Sequence, residues 1–414
     1  AARLVSSVCV GFASYHYLKS QALCTKQQRS NGFEIFVFSL LVTLHSTGND
    51  WELVHAQVFF RHGARAPFGD APDAPAIWSS DLKADLSTVP AISLINLANN
   101  EALDDSVLKD SAEGNLPLLG GGLSPGALTQ QGLQQTEDLG TVLRRQYVDS
   151  GFIKGNFDRE EVLLRTSCTH RTTQSLRGLL KGLFPDDSGA KEPFPVSVGL
   201  GGLGTKHMDW LNFSTSCCPR LKEIYKGGLL ELAMQQDPPT RALLERLQQA
   251  SGSAMPEDAL VYGPLAWFDS ASCRIGSGLA LPPWLDSGSI NALASASADQ
   301  VERLFRGVGT AQPDEMLRLS QGRTLQECLG RLTAAILQDS GSPGPVSPKL
   351  VIYSCHDWTI LPLWLMLAPP DAKMPWADYA AELRVELLRR GRSEYAVRVA
   401  WGAGISHSGR MVQS

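Results

Sequence analysis

Three apolar runs punctuate this chain, and each leads into a polar segment rich in arginine, histidine or aspartate. Leu53-Val54-His55-Ala56-Gln57-Val58-Phe59-Phe60, Glu161-Val162-Leu163-Leu164 and Lys349-Leu350-Val351-Ile352-Tyr353 are short and dense in aliphatic and aromatic side chains, which predicts buried β-strands. Between them the spacing turns helical. Leu133, Leu139, Val142, Leu143 and Tyr147 fall on one face of a helix opened by Leu128-Thr129-Gln130-Gln131-Gly132. Leu176, Leu179, Leu180 and Leu183 mark a second helix, and Leu325, Cys328, Leu329, Leu332 and Ile336 a third. The Gly- and Pro-rich stretch 340–348 stops the last of these.

Strands alternating with helices predict an α/β fold, a three-layer core with a mostly parallel sheet flanked by helices. In such a sheet, ligands bind beyond the carboxyl ends of the strands. The intervals 68–125 and 185–320 depart from the pattern. They are loaded with Gly, Pro and Ser, and the longer one contains helical pieces at 241–250 and 298–305. They are expected to form an inserted α-rich cap. The core is then about 51–67, 126–184 and 321–401, within one domain spanning 51–414.

Residues 1–50 read as a leader. Positions 1–33 carry Arg3, Lys19, Lys26 and Arg29 with no acidic residue, as a transit or signal segment does. The apolar run from Ile35 to Leu44 falls short of the roughly 20 residues needed to cross a bilayer. It suits a signal core, a membrane-surface anchor or an ordinary buried segment.

Composition narrows the function by exclusion. With 43% hydrophobic and 19% charged residues, the 414-residue chain has ample core-forming material. A net charge of −5 argues against nucleic acid as a partner. Eight cysteines without a C-x-x-C pair form neither a disulfide scaffold nor a zinc knuckle.

Two short motifs are declined on mechanism. Gly122-Leu123-Ser124-Pro125-Gly126 fits G-x-S-x-G, but a nucleophile elbow takes an oxyanion-hole N–H from the residue after the serine, and Pro125 has none. Gly199-Leu200-Gly201-Gly202-Leu203-Gly204 fits G-x-G-x-x-G, and Pro195–Val198 could be a short strand before it. No long helix follows, because Cys217-Cys218-Pro219 intervenes.

The chemistry lies at the ends of the three strands. Arg61-His62-Gly63-Ala64-Arg65-Ala66-Pro67 follows the first, Arg165-Thr166-Ser167-Cys168-Thr169-His170-Arg171-Thr172 the second, and Ser354-Cys355-His356-Asp357 the third. A parallel sheet sets all three side by side. Arg61, Arg65 and Arg165 would supply planar charged forks suited to phosphate oxygens. His62 offers a nitrogen nucleophile, His356 a hydrogen-bond donor to an equatorial oxygen, and Asp357 a proton for a departing alkoxide. Neighbouring guanidiniums should lower the pKa of His62 and keep it unprotonated.

These segments carry a family resemblance. Arg61–Pro67 resembles the R-H-G-x-R-x-P signature of the histidine acid phosphatases, His356-Asp357 their H-D pair, and Leu128–Gly132 their L-T-x-x-G helix start. Arg165-Thr166-Ser167 is similar to their R-S-T motif with the last two residues interchanged. The resemblance implies an α/β core with an α-rich cap. It also implies a phosphomonoesterase with His62 as the phosphorylated nucleophile, Arg61, Arg65, Arg165 and His356 as phosphate ligands, and Asp357 as proton donor. No metal and no cofactor belong to that reading. Within the family, Val58–Arg65, the 128–148 helix and Leu179–Phe184 resemble the lysophosphatidic acid phosphatase group. That implies a lysophospholipid substrate, peripheral membrane contact, a monomer and a mitochondrial destination. A secretory destination is the alternative, and it would make the sequon Asn212-Phe213-Ser214 meaningful. The rival functions are a broad acid phosphatase, an inositol-phosphate hydrolase, and a non-catalytic phosphate- or lipid-binding relative.

Departures from the family pattern are Trp358 directly after the H-D pair, where a smaller residue is usual, and the stretch 402–414 in place of a cysteine-bearing tail. Cys168 and Cys355, beside the motifs, read as small buried residues and not as redox groups.

Overall fold

The three apolar runs lie together at the centre of one sheet. In this computed structural model, residues 50–68, 77–109, 116–187, 192–200, 209–215, 218–252, 261–369 and 371–404 are described. The expected leader, most of the second glycine motif and most of the 402–414 stretch lie outside them. Eight strands form the sheet: β1 (Glu52–Arg61), β2 (Ile92–Asn96), β3 (Ala102–Leu103), β4 (Val162–Thr166), β5 (Phe194–Val198), β6 (Leu350–Cys355), β7 (Glu382–Arg390) and β8 (Glu394–Gly402). Their order is β3-β2-β5-β4-β6-β1-β7-β8. The five strands from β2 to β1 run parallel, and β3 and β7 pair antiparallel at the two flanks of that block.

Helices cover both faces, which is why the central strands read as continuous apolar runs and not as alternating ones. Ala56, Val58 and Phe60 of β1 and Leu350 and Ile352 of β6 face α1 (Gln130–Leu143) and α2 (His170–Leu183), burying Leu139, Leu143, Leu176, Leu179 and Leu180. The cap helices are α3 (Pro219–Met234), α4 (Pro238–Ser251), α5 (Pro264–Gly276) and α6 (Ser287–Arg306). Returning to the sheet, α7 (Glu315–Asp339) and α8 (Asp357–Leu367) cover the other face, against Phe59, Val351 and Tyr353. Burying each such large side chain contributes roughly 1.5–3 kcal/mol.

The cap boundaries need correction. The sheet takes β2 and β3 from the 68–125 excursion and β5 from the start of the 185–320 interval. These strands are two to five residues long and β5 contains Pro195, so their periodicity is too brief to stand out in sequence. Most of the described residues between 218 and 306 lie in α3–α6, and Leu247, Trp267, Phe268, Ile290 and Leu293 give α4–α6 a core of their own.

Candidate active site

β1 ends at Arg61, and the chain turns into the signature loop at the carboxyl edge of the sheet. Two glycines allow that loop to sit hard against α1. A Cβ on Gly63 would lie 2.0 Å from the Gly132 carbonyl oxygen, and one on Gly132 would lie 2.1 Å from the Ala64 carbonyl oxygen. The L-T-x-x-G motif therefore holds the loop in place. The Thr129 N–H donates to the Ala64 carbonyl at 2.9 Å, and the Gln135 amide oxygen accepts from the Ala64 N–H at 2.9 Å. Ser175 of α2 accepts from the Gly63 N–H at 3.0 Å. Gly132→Ala forces backbone against backbone. We expect it to cost about 3 kcal/mol, read as a lowered midpoint in urea unfolding, with an unchanged midpoint contradicting this contact.

Loop geometry fixes the tautomer of His62. Its Nδ1 lies 2.8 Å from the Gly63 carbonyl oxygen, which only accepts, so Nδ1 carries the hydrogen and Nε2 a free lone pair. His62 is 2% exposed. Burial pushes its pKa well down, and Arg171, Arg61, His356 and Arg65 add to the effect. The expected influence of neighbouring guanidiniums is present, but desolvation comes first.

Around His62 stand the other groups. Arg61 donates to the Ala377 carbonyl at 2.7 Å, pairs with Asp357 at 2.9 Å, and lies 4.2 Å over the Tyr379 ring. Arg65 pairs with Asp269 of α5 at 2.8 Å, and the exposed Phe68 ring lies 4.2 Å from its guanidinium carbon. Burial works against the Arg65 charge, yet the Asp269 carboxylate keeps its pKa above the ordinary value. His356 caps the N-terminus of α8, its ring 5.5 Å from that of His62 and nearly perpendicular to it. Its own pKa is pushed well down by burial and then by Arg171, Arg61 and Arg65. Asp357 opens α8, where the helix dipole favours a carboxylate.

Arg165 is not part of this cluster. It sits within β4, in register with Tyr353, and its side chain turns to the α7 face. There it pairs with Glu327, on the Tyr353 side of the sheet. Burial opposes the Glu327 charge, but Arg165 and Arg331 hold that carboxyl below its ordinary value. A residue inside a strand projects onto a helical layer, whereas the site lies past the strand end.

Arg171 fills the place expected of Arg165. It lies in the first turn of α2, buried, with Nη2 3.2 Å from His356 Nδ1 and its guanidinium carbon 5.3 Å from the Phe68 ring. Burial and the neighbouring Arg65 lower its pKa to about 9, still far above the acid range. A buried cation at a helix N-terminus opposes the helix dipole, so its placement favours an incoming anion. The signal was in the sequence: Arg171 lies beyond the strand end and Arg165 before it. No motif marks the segments bearing Tyr379 and Asp269, and nothing in the sequence singles out Ser167 within its own motif.

Trp358 packs its ring against Phe213, Tyr225 and Phe305, with centroids 5.0, 5.7 and 5.3 Å away, in the hydrophobic cluster on the α7 face of the sheet. Cys168 and Cys355 are buried thiols whose pKa values burial raises, to about 11 for Cys168. Gly122 and Gly126 occupy left-handed turns on either side of Ser124, so the G-x-S-x-G match is a loop.

The profile of the histidine phosphatase superfamily (branch 2) matches residues 52–401. The chain belongs to that superfamily. Among its members, human testicular acid phosphatase is 32% identical over 272 residues, covering 63% of this chain and 58% of that protein. Bovine lysophosphatidic acid phosphatase type 6 is 27% identical over 353 residues, covering 83% of this chain and 75% of that protein. The chain thus spans under two thirds of the testicular acid phosphatases it matches, 60% for the mouse protein and 58% for the human one. The fold is shared with Hafnia alvei phytase in complex with tartrate, at a TM-score of 0.56 and 14% identity, covering 86% of both chains.

Proposed function

We propose that this protein is a metal-independent phosphomonoesterase acting through a phosphohistidine, with lysophosphatidic acid as its substrate. The carrying observation is the Nδ1–H tautomer of His62, which leaves Nε2 as a lone pair among Arg61, Arg65, Arg171 and His356. The phosphoryl oxygens of a monoester would be met by those guanidiniums while Nε2 attacks phosphorus opposite the ester oxygen. The P–O bond breaks, and the departing alkoxide takes a proton from Asp357. Water then attacks the phosphohistidine and returns a proton to Asp357, releasing inorganic phosphate and freeing Nε2.

Three features support a lysophospholipid over a polyphosphorylated sugar. Phe68 covers Arg65 and Arg171 with an exposed aromatic face. Asp269 places a negative charge on the flank where further phosphates would need cations. Trp358, the residue after Asp357 in the chain, joins Phe213, Tyr225 and Phe305 in an aromatic cluster. The likeness to bovine lysophosphatidic acid phosphatase type 6 points the same way. A monomer with peripheral membrane contact and a mitochondrial destination belong to the same proposal, the last supported by the basic, acid-free residues 1–33.

The test compares kcat/KM on lysophosphatidic acid, nitrophenyl phosphate and inositol hexakisphosphate. Lysophosphatidic acid should exceed inositol hexakisphosphate by about tenfold or more, roughly the 1.4 kcal/mol of one unfavourable charge contact. The reverse order would favour the inositol-phosphate reading, and equal rates on all three the broad acid phosphatase. Binding of phosphate without turnover would identify a non-catalytic relative. Asp357→Asn should lower kcat/KM, which reads the steps up to departure of the alcohol, by about 10²- to 10⁴-fold on lysophosphatidic acid while sparing kcat/KM on nitrophenyl phosphate, whose leaving group departs without a proton. Equal losses of kcat/KM on both would remove the proton-donor role.

A further inference from the structure

His356 has a hydrogen-bond partner on each ring nitrogen, and one of them decides the tautomer. Nδ1 lies 3.2 Å from Nη2 of Arg171, and a guanidinium can only donate. Nδ1 therefore holds a lone pair, and in the neutral ring the hydrogen sits on Nε2. Nε2 is 2.8 Å from Ser167 Oγ, which must then accept. The Ser167 hydroxyl can pass its own hydrogen to Thr172 Oγ1 at 3.0 Å. The Thr172 hydroxyl in turn has the Ser167 and Thr169 carbonyls within 3.0 Å. A single direction runs through the chain: Arg171 to His356, His356 to Ser167, Ser167 to Thr172, Thr172 to backbone. Ser167 and Thr172 are fully buried, so no solvent competes for these bonds.

We propose that Ser167 is a positioning residue that locks His356 in the Nε2–H tautomer, so that binding a tetrahedral dianion takes up one proton at His356 Nδ1. A lone pair facing the anion site repels phosphoryl oxygens, and Arg171 is occupied with it. A proton arriving from solvent converts Nδ1 from acceptor to donor. Arg171 is released towards the anion, and the imidazolium still donates through Nε2 to Ser167. The charged and titratable groups around the ring are Arg61 at the end of β1, His62 and Arg65 in the loop after it, Arg171 of α2, and Asp357, the first residue of α8. Behind the relay, Asp209 binds the Cys168 backbone N–H at 2.7 Å. In the free protein three arginines favour neutral His356, and the dianion reverses that balance.

The inference rests on reading this cluster as an anion site and not on turnover. Sulfate is the probe, because it stays a dianion across the pH range used. In the free protein, ¹⁵N NMR should show His356 as the Nε2–H tautomer, with Nδ1 moving to a protonated shift on sulfate binding. The sulfate Kd should weaken by about tenfold per pH unit for this proton as pH rises through the range of uptake. In Ser167→Ala the Nε2–H has no acceptor and the Nδ1–H tautomer becomes available, so the slope of log Kd against pH should fall by about one. Ser167→Thr keeps the hydroxyl and should restore it. A purely structural role would weaken binding equally at every pH. An Nδ1–H tautomer in the free protein, an Nδ1 shift unmoved by sulfate, or an unchanged slope in Ser167→Ala would overturn the inference. If those signatures appear in a protein that hydrolyses no ester, the proposed function fails and the inference stands.

Discussion

His62→Asn should abolish turnover: kcat on any phosphomonoester falls by about 10⁴-fold or more, as when a nucleophile is removed from a unit that works as one. Asparagine keeps a polar side chain of similar reach but has no nitrogen lone pair to attack phosphorus. The loop should survive, because its shape depends on Gly63, Gly132, Gln135 and Ser175 and not on the imidazole. Alkaline detergent quenching of the wild-type protein during turnover of a ³²P-labelled ester should leave base-stable, acid-labile label on the chain, and His62→Asn should carry none. Label retained in the variant would place the nucleophile elsewhere. The lowered pKa of His62 adds a pH consequence. Neutral, Nε2 stays available in acid well below the usual histidine range. Loss of nucleophile through protonation should therefore appear only at pH values below that range.

The second large effect separates two arginines six positions apart. Arg171→Ala should lower kcat/KM by about 10²- to 10³-fold, the usual consequence of deleting one charged donor aimed at developing negative charge. Arg165→Ala should leave kcat/KM near the wild-type value and destabilise the fold by about 1–3 kcal/mol, since Glu327 loses its buried partner and keeps only Arg331. Steady-state kinetics and urea unfolding on both variants read the two quantities independently. If Arg165→Ala were the catalytic knockout, the strand register that turns Arg165 toward α7 would be wrong.

Much of the architecture was legible because burial on both faces of a parallel sheet leaves a plain trace. The runs at 53–60, 161–164 and 349–353 could not be amphipathic surface strands, and they are the adjacent strands β1, β4 and β6. The helices at 128–148 and 170–183 were visible for the same reason, each burying a row of leucines against the sheet. The short edge strands were not visible, because β2 and β3 span too few residues for a period to emerge.

By itself the sequence determined that Arg61, His62, Arg65, His356 and Asp357 would meet, because each lies at or just past the end of a strand and parallel strands end on one edge. Only the tertiary structure decided which second-strand arginine joins them. Between Arg165 and Arg171 lies the end of β4 and the start of α2. One residue faces across the sheet to Glu327, while the other points along the edge to His356. The side-chain alternation of a strand is fixed locally, but which face holds a carboxylate and which end holds an anion site depends on α7 and α8, more than 140 residues later in the chain. Asp269, Phe68 and Tyr379 join the cluster through packing alone, and hydrogen-bond direction at His62 and His356 exists only once their neighbours are in place.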